Sequence, residues 1–322
     1  MKFIFKQSVQ NFIRNYLKLL FFKKITKNGL NLFLRNQDII SPYPMVSGAY
    51  EEHIKNFIIH FSNEGFSDFL IDIGANIGLI SCQTGEKFRQ IHMFEPNPDC
   101  FKILEVNSKI ALRHTDYFLY NFGLGEEDGI FELFVPQKNW GGGYIKHKSN
   151  PYNEEILANK DKSGKTDKNT YAKIQVKIKN AWKNLENLFD TLAKDNLANG
   201  IIKIDVEGLE ISIIRAIAKS VPENFNLIIV FESWNENINI NSIVEDFEGR
   251  AKTFKFSRTT LWNEDKGKIS KIFSLLGFFL RKSAITHQIE ETKKGEFKGN
   301  LIIQINKKKN KTGEKNGICA PT

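Results

Sequence analysis

Cysteine is scarce in this chain of 322 residues: Cys82, Cys100 and Cys319 stand far apart. That scatter excludes a disulfide framework and a cysteine-rich zinc site, and the six histidines form no cluster that could replace one. Cys82 falls on an expected helix and Cys100 opens another, so both read as small core or near-surface residues. A reducing compartment suits them, which points to the cytoplasm. Long apolar runs are missing too, and none approaches the roughly 18 residues of a membrane span. The N-terminus has lysines throughout its apolar pattern and no small-residue cleavage site, so a secretory signal is not expected.

Acid is absent where base is dense. Residues 1–37 carry eight Lys or Arg and no Asp or Glu, and residues 307–322 carry five Lys against one Glu. The net charge of +9 therefore leaves residues 38–306 at −3. A nucleic-acid enzyme would carry its positive charge around the site, so no nucleic-acid partner is expected. Within residues 3–25, Phe5, Val9, Phe12, Ile13, Tyr16, Leu17, Leu20 and Phe21 recur at helical spacing beside Lys2, Lys6, Arg14, Lys18, Lys23 and Lys24. Such a helix can lie on an anionic membrane at the inner face, or pack on its own domain or a partner chain. The expected layout is a basic extension (1–40), a catalytic domain (41–306) with insertions near 136–170 and 258–298, and a disordered basic tail (307–322).

What is present is concentrated in Asp68–Cys82, DFLIDIGANIGLISC. Phe69, Leu70 and Ile71 form a short apolar run ending at Asp72, the pattern of a buried parallel strand. Gly74-Ala75-Asn76-Ile77-Gly78 then reads as a tight turn feeding a helix. Gly74 lets backbone approach a ligand, Gly78 lets the helix pack on the strand, and the open amides at the helix start face the ligand. Asp72, at the carboxyl edge of the strand, repels a pyrophosphate but suits a cationic ligand carrying an amino group. That favours S-adenosylmethionine over a dinucleotide. Glu95 ends the next strand, Ile91–Phe94, and an acid about 20 positions after the turn can accept both ribose hydroxyls. An ordinary βαβ unit with no ligand is the plain alternative.

With EPNPDCFKILEVN (Glu95–Asn107), NFGLG (Asn121–Gly125) and IKIDVEGLE (Ile202–Glu210), the order of motifs resembles the FkbM-type methyltransferases. The resemblance runs from about Tyr50 to about Trp234. It implies an α/β, Rossmann-like class I fold, a mostly parallel seven-stranded sheet with helices on both faces. It also implies S-adenosyl-L-methionine as cofactor. The cofactor contacts it points to are Asp72, Gly74, Ala75, Asn76, Gly78, Glu95, Pro96, Asn97, Asn121 and Phe122. Asn121 and Phe122 lie where adenine would stack and hydrogen-bond, a packed strand end being the alternative. Family members commonly place a Glu ahead of the glycine loop. Either Glu51 or Glu52 could hold the methionine amino group, with Glu52 taken as the candidate, and a helix-start carboxylate is the plain reading.

Elsewhere the chain reads as strands over Asp116–Phe122 and Ile130–Val135, joined as a hairpin at the sheet margin, then Ile174–Ile178 and Ile201–Val206. Strands follow at Leu227–Phe231, Lys252–Phe256 and Asn300–Ile305, with helices at Trp182–Ala193 and 238–248. Ile269–Leu280 is an apolar segment of no assigned role. Trp140-Gly141-Gly142-Gly143-Tyr144 could close over a substrate and stack on a sugar, or be a plain surface loop. Asp205 and Glu207, at the end of the fourth strand, are the candidate bases. Lys203, charged in an apolar strand, needs a partner, Asp205 or Glu232, or orients substrate. Asp205 and Glu232 end adjacent strands as hard-cation ligands can, but no third ligand is fixed by spacing, so no metal is expected. Asp205-Val206-Glu207-Gly208 stands where amine-methylating enzymes of nucleic acids carry an Asn/Asp-Pro-Pro-aromatic loop. The expected activity is O-methylation of a glycan or other small-molecule acceptor. A protein or nucleic-acid methyltransferase, or a non-catalytic scaffold, are the alternatives.

Overall fold

The computed structural model describes residues 9–35, 38–146, 150, 171–233, 240–260, 285–292 and 299–308. Two sheets organise them. The larger contains β1 (Phe69–Ile73), β2 (Gln90–Phe94), β3 (Asp116–Tyr120), β8 (Asn199–Ile204), β9 (Asn226–Ser233), β10 (Ala251–Thr260), β11 (Ile285–Glu291) and β12 (Gly299–Ile305). Its order is β11-β10-β12-β9-β8-β1-β2-β3. From β3 to β9 every pairing is parallel, whereas β12, β10 and β11 are antiparallel. The expected seven strands are there, and β11 adds an eighth at the edge beyond β10.

Strand alternation decides which side chains meet which layer. Phe69, Ile71, Ile202, Ile204, Leu227 and Ile229 face one core. That core is covered by α6 (Ala181–Lys194), α7 (Glu210–Ser220) and α8 (Ile240–Glu245). Leu70, Ile91, Met93, Ile201, Ile228 and Val230 face the other, beneath α3 (Glu52–Asn63), α4 (Leu79–Thr84) and α5 (Pro98–Ala111). All five residues of β1 are buried, as a strand covered on both faces requires. On α6, Leu185, Leu188, Phe189 and Leu192 form the buried stripe, and Asn180 caps the helix by accepting from the Lys183 amide at 3.0 Å.

The hairpin expectation needs correction. β4 (Gly123–Gly125), β5 (Gly129–Pro136), β6 (Tyr144–Ile145) and β7 (Tyr171–Asn180) make a separate sheet of order β4-β7-β5-β6. The antiparallel partner of β5 is β7, and β3 stays in the large sheet. Leu133, Val135, Ile145, Val176 and Ile178 give this small sheet its own buried cluster.

Before α3 the chain runs through α1 (Val9–Ile25) and α2 (Pro42–Ser47). Leu30, Leu32, Leu34 and Ile40 pack on Ile77, Leu79 and Cys100, so residues 29–35 and 38–40 strap onto the catalytic body. No described helix is long and apolar enough to cross a membrane. The apolar segment Ile269–Leu280, most of the two expected insertions and the tail beyond Lys308 lie outside the described residues.

Candidate active site

The carboxyl ends of β1, β2, β8 and β9 open into a cleft of about 200 Å³. β1 and β8 lie side by side there, and the chain after each turns away from the sheet, leaving the crevice typical of parallel α/β sheets.

Gly74 makes the first turn at φ +84, and a Cβ there would meet the Asp205 carbonyl oxygen. Only glycine fits, because both the conformation and the space exclude a side chain. The Gly74 and Ala75 amides donate to the Phe94 carbonyl at 2.9 and 3.0 Å, locking the turn to β2. Asn76 follows at φ +53 and lines the cleft, and its buried Oδ1 has no hydrogen-bond partner among the described residues.

Glu95 sits across this turn. Its Oε2 accepts from the Asn76 amide at 2.8 Å and its Oε1 from the Asn97 amide at 2.7 Å. Burial pushes its carboxyl up to about 7, against the opposing pull of those two amides. Each oxygen keeps a lone pair for a further donor. Pro96 and Asn97 line the cleft beside it, and the Asn97 side chain caps α5 by accepting from the Asp99 amide.

Several predicted residues stand elsewhere. Asp72 is buried inside β1 and does not line the cleft; its carboxylate accepts from Ser81 Oγ at 2.7 Å and Lys203 Nζ at 3.3 Å. The register sets Asp72 directly opposite Lys203, which brings the two charges together. Ala75 packs into the core and Gly78 packs against Leu104, so both shape the turn without facing the cleft. Asn121 is exposed and donates to the Glu95 carbonyl at 2.9 Å. Phe122 packs edge-on against Phe94 with Lys179 Nζ 4.0 Å above its ring. Neither Asn121 nor Phe122 lines the cleft, whereas Gly123 and Leu124 do. Glu52 is exposed on α3, and its neighbour Glu51 is the one turned into the cleft.

The rest of the cleft is acidic. Glu51, Asp205, Glu207 and Glu232 all line it. Lys203 Nζ lies 3.0 Å from Asp205 and 3.3 Å from Asp72. Burial alone would lower the lysine's pKa, but Asp205, Asp72 and Glu51 more than reverse that and keep it charged. The partners offered by the sequence were Asp205 and Glu232, and the structure adds Asp72 to Asp205. Glu51 adopts a left-handed backbone at φ 41, and burial, then Asp205, raise its carboxyl to about 7, with Lys203 opposing. Tyr50, which sequence reasoning passed over, also lines the cleft. Its phenol is held well above the usual range by burial and by the Glu51, Asp205 and Glu232 charges. Glu207 is buried, and its backbone carbonyl accepts from Asn150 Nδ2 at 2.8 Å. Gly208 turns the chain at φ +89 where a Cβ would strike Asn150.

The Trp140–Tyr144 segment forms a third wall rather than a detached loop. The Trp140 ring lies 3.9 Å beneath the Arg35 guanidinium, and its amide donates to Asp38 at 3.3 Å. Arg35 pairs with that same Asp38 at 3.1 Å. The N-terminal strap therefore fixes the tryptophan in place.

The cleft thus joins a buried carboxylate held by two amides, a glycine turn and further acidic side chains. The family model for the Methyltransferase FkbM domain matches residues 72–267. The chain belongs to the FkbM methyltransferase family. It is a methyltransferase, and membership of this family makes S-adenosyl-L-methionine its methyl donor. "Methyltransferase sdnD" of Sordaria araneosa is 25% identical over 208 residues, which span 61% of this chain and 79% of that protein. Among solved structures, an O-methyltransferase from Bacillus cereus in complex with SAH is similar at TM-score 0.38. It shares 8% identity over 94% of this chain and 93% of that one. A putative O-methyltransferase from Klebsiella pneumoniae has TM-score 0.36 and 12% identity over 91% and 96%.

Proposed function

We propose that this FkbM methyltransferase O-methylates a hydroxyl of a glycan or other small molecule. The observation that carries this reading is the acidic lining of the cleft, where Glu51, Asp205, Glu207 and Glu232 share one pocket with the Gly74 turn. An alcohol benefits from a base that takes its proton during attack, and carboxylates supply one. The same wall repels a phosphate backbone, which disfavours nucleic acid as acceptor.

S-adenosyl-L-methionine, when bound, supplies a methyl group already activated by the sulfonium charge. The residues present fit it: Gly74 leaves backbone clearance, and the buried Asn76 Oδ1 offers an acceptor. Glu95 accepts the ribose hydroxyls while Asn76 and Asn97 hold its carboxylate in place. Pro96, Asn97 and Gly123 border the adenine end. Glu51 and Asp205 face the ammonium group, and Lys203 orients Asp205. Glu207 takes the acceptor's proton at a carboxylate oxygen. Trp140 and Tyr144 shape the acceptor side and exclude water. In-line positioning then supplies much of the rate.

The test is transfer of labelled methyl from S-adenosylmethionine into fractionated glycans, small molecules, lipids, proteins and nucleic acids. Base-stable label in a glycan or small-molecule hydroxyl is the expected result. Label in nucleic acid or protein would overturn the acceptor class, and no transfer into any fraction would favour a scaffold that keeps only the binding fold.

A further inference from the structure

The N-terminal helix is not part of the methyl-transfer machinery, and its apolar face has no cover among the described residues. Ile13, Tyr16, Leu17, Leu20 and Phe21 are 48–68% exposed. At 100° per residue they share one broad arc of α1 that also holds Lys24, and Leu19, Phe22 and Ile25 are exposed on the remaining face beside Asn15 and Lys18. No hydrophobic cluster of the described residues includes an α1 side chain.

We propose that α1 docks the enzyme on an anionic lipid surface. Charge selects this occupant: residues 1–37 hold eight basic residues and no acid, and Lys23 and Lys24 fall in the last turn of α1. Pairing with a second α1 would set like charges together. A discrete protein groove fits an apolar arc this broad poorly, whereas a bilayer interface accepts it and places the flanking lysines at the headgroups. The anchor would also hold the enzyme firmly. Just beyond α1, the Phe33 amide donates to Asn107 Oδ1 at 2.7 Å, Asn107 Nδ2 donates back to the Phe33 carbonyl at 3.1 Å, and the Leu30 amide donates to Pro44. A lipid contact at α1 is thereby tied to the body through a fixed strap.

The test is sedimentation of the full-length protein with vesicles of phosphatidylcholine, alone or mixed with phosphatidylglycerol. Binding to the mixed vesicles at low salt is expected, with loss at high salt and little binding to phosphatidylcholine alone. Lys18→Gln/Lys23→Gln/Lys24→Gln should lower the partition constant by roughly 10²-fold. Leu17→Ser/Phe21→Ser should lower it at least tenfold, with S-adenosylhomocysteine binding and thermal midpoint unchanged as evidence of folding. Indifference of the wild-type protein to anionic vesicles would overturn the proposal, as would binding that neither variant weakens. So would a lipid-indifferent dimer that Leu17→Ser/Phe21→Ser dissociates.

Discussion

Lys203→Met tests how the acidic wall is built. The substitution keeps the unbranched stem of the side chain, one atom shorter, and removes the ammonium that bridges Asp72 and Asp205. The two carboxylates do not suffer equally. Asp205 is 39% exposed and can turn to water, so its loss amounts to about 0–1 kcal/mol. Asp72 is 1% exposed and, among the described residues, keeps the Ser81 Oγ hydrogen bond. Leaving a buried carboxylate without its ion partner costs about 3–5 kcal/mol, so the Asp72 side of the bridge dominates. In a domain of this size that lowers Tm by roughly 10 °C. The assay is urea unfolding of wild type, Lys203→Met, Asp72→Asn/Lys203→Met and Asp205→Asn. Asn at position 72 can still accept from Ser81 and carries no charge, so the double variant should recover about half or more of the loss. Asp205→Asn should cost no more than about 1 kcal/mol, because Lys203 keeps Asp72. A Lys203→Met protein within about 1 kcal/mol of wild type, or no recovery in the double variant, would refute the bridge as the support of this wall.

Glu95→Ala should weaken S-adenosylhomocysteine binding by about 1.5–3 kcal/mol in calorimetry, since charge-assisted bonds to the ribose are lost; wild-type affinity would remove Glu95 from the cofactor site. Glu51 and Glu95 both have carboxyls raised from 4.5 to about 7, so their contribution to stability is present below about 4.5 and lost as pH rises through about 7. Glu51→Gln should therefore raise the thermal midpoint of the ligand-free protein at pH 8 while weakening cofactor binding, and an unchanged or lower midpoint would count against the buried charge. Glu207→Gln should keep cofactor affinity and lose about 10²–10⁴-fold in turnover with saturating acceptor, whereas near-normal turnover would end its assignment as base.

The parts of the site legible in the sequence were those carried by one local segment. Gly74 needs clearance at its own position, and Glu95 follows it by a fixed strand-helix-strand length, so spacing alone brought them together. Lys203 was recognisable as a buried charge needing a partner, but Asp72 was not recognisable as that partner. Their contact depends on β8 lying beside β1 in one particular register, and 131 residues separate the two side chains. Phe122 was open for a related reason: an aromatic at a strand end looks the same whether it faces a ligand or, as the structure has it, packs on Phe94 under Lys179. The β5–β7 pairing was hidden by the long polar stretch between its strands, which made the nearer β3 the natural partner for β5.

The Glu51–Glu52 choice shows what decides such a case physically. Both carboxylates stand at the start of α3, and composition gives no reason to prefer either. The left-handed backbone of Glu51 turns the chain so that Tyr50 and Glu51 enter the cleft and Glu52 begins the exposed face of the helix. A non-glycine residue held at positive φ costs about 1 kcal/mol or more, and surrounding structure must over-determine it. Here the Tyr50 amide donates to Gln83 Oε1 at 3.1 Å and the Lys55 amide to the Glu51 carbonyl at 3.0 Å, fixing the residue from both sides. A strained backbone presenting a carboxylate to other carboxylates weakens the ligand-free fold twice over. A cation between Glu51 and Asp205 would relieve the second of these, the charge repulsion, and under the function proposed above that is the charge the methyl donor's ammonium brings.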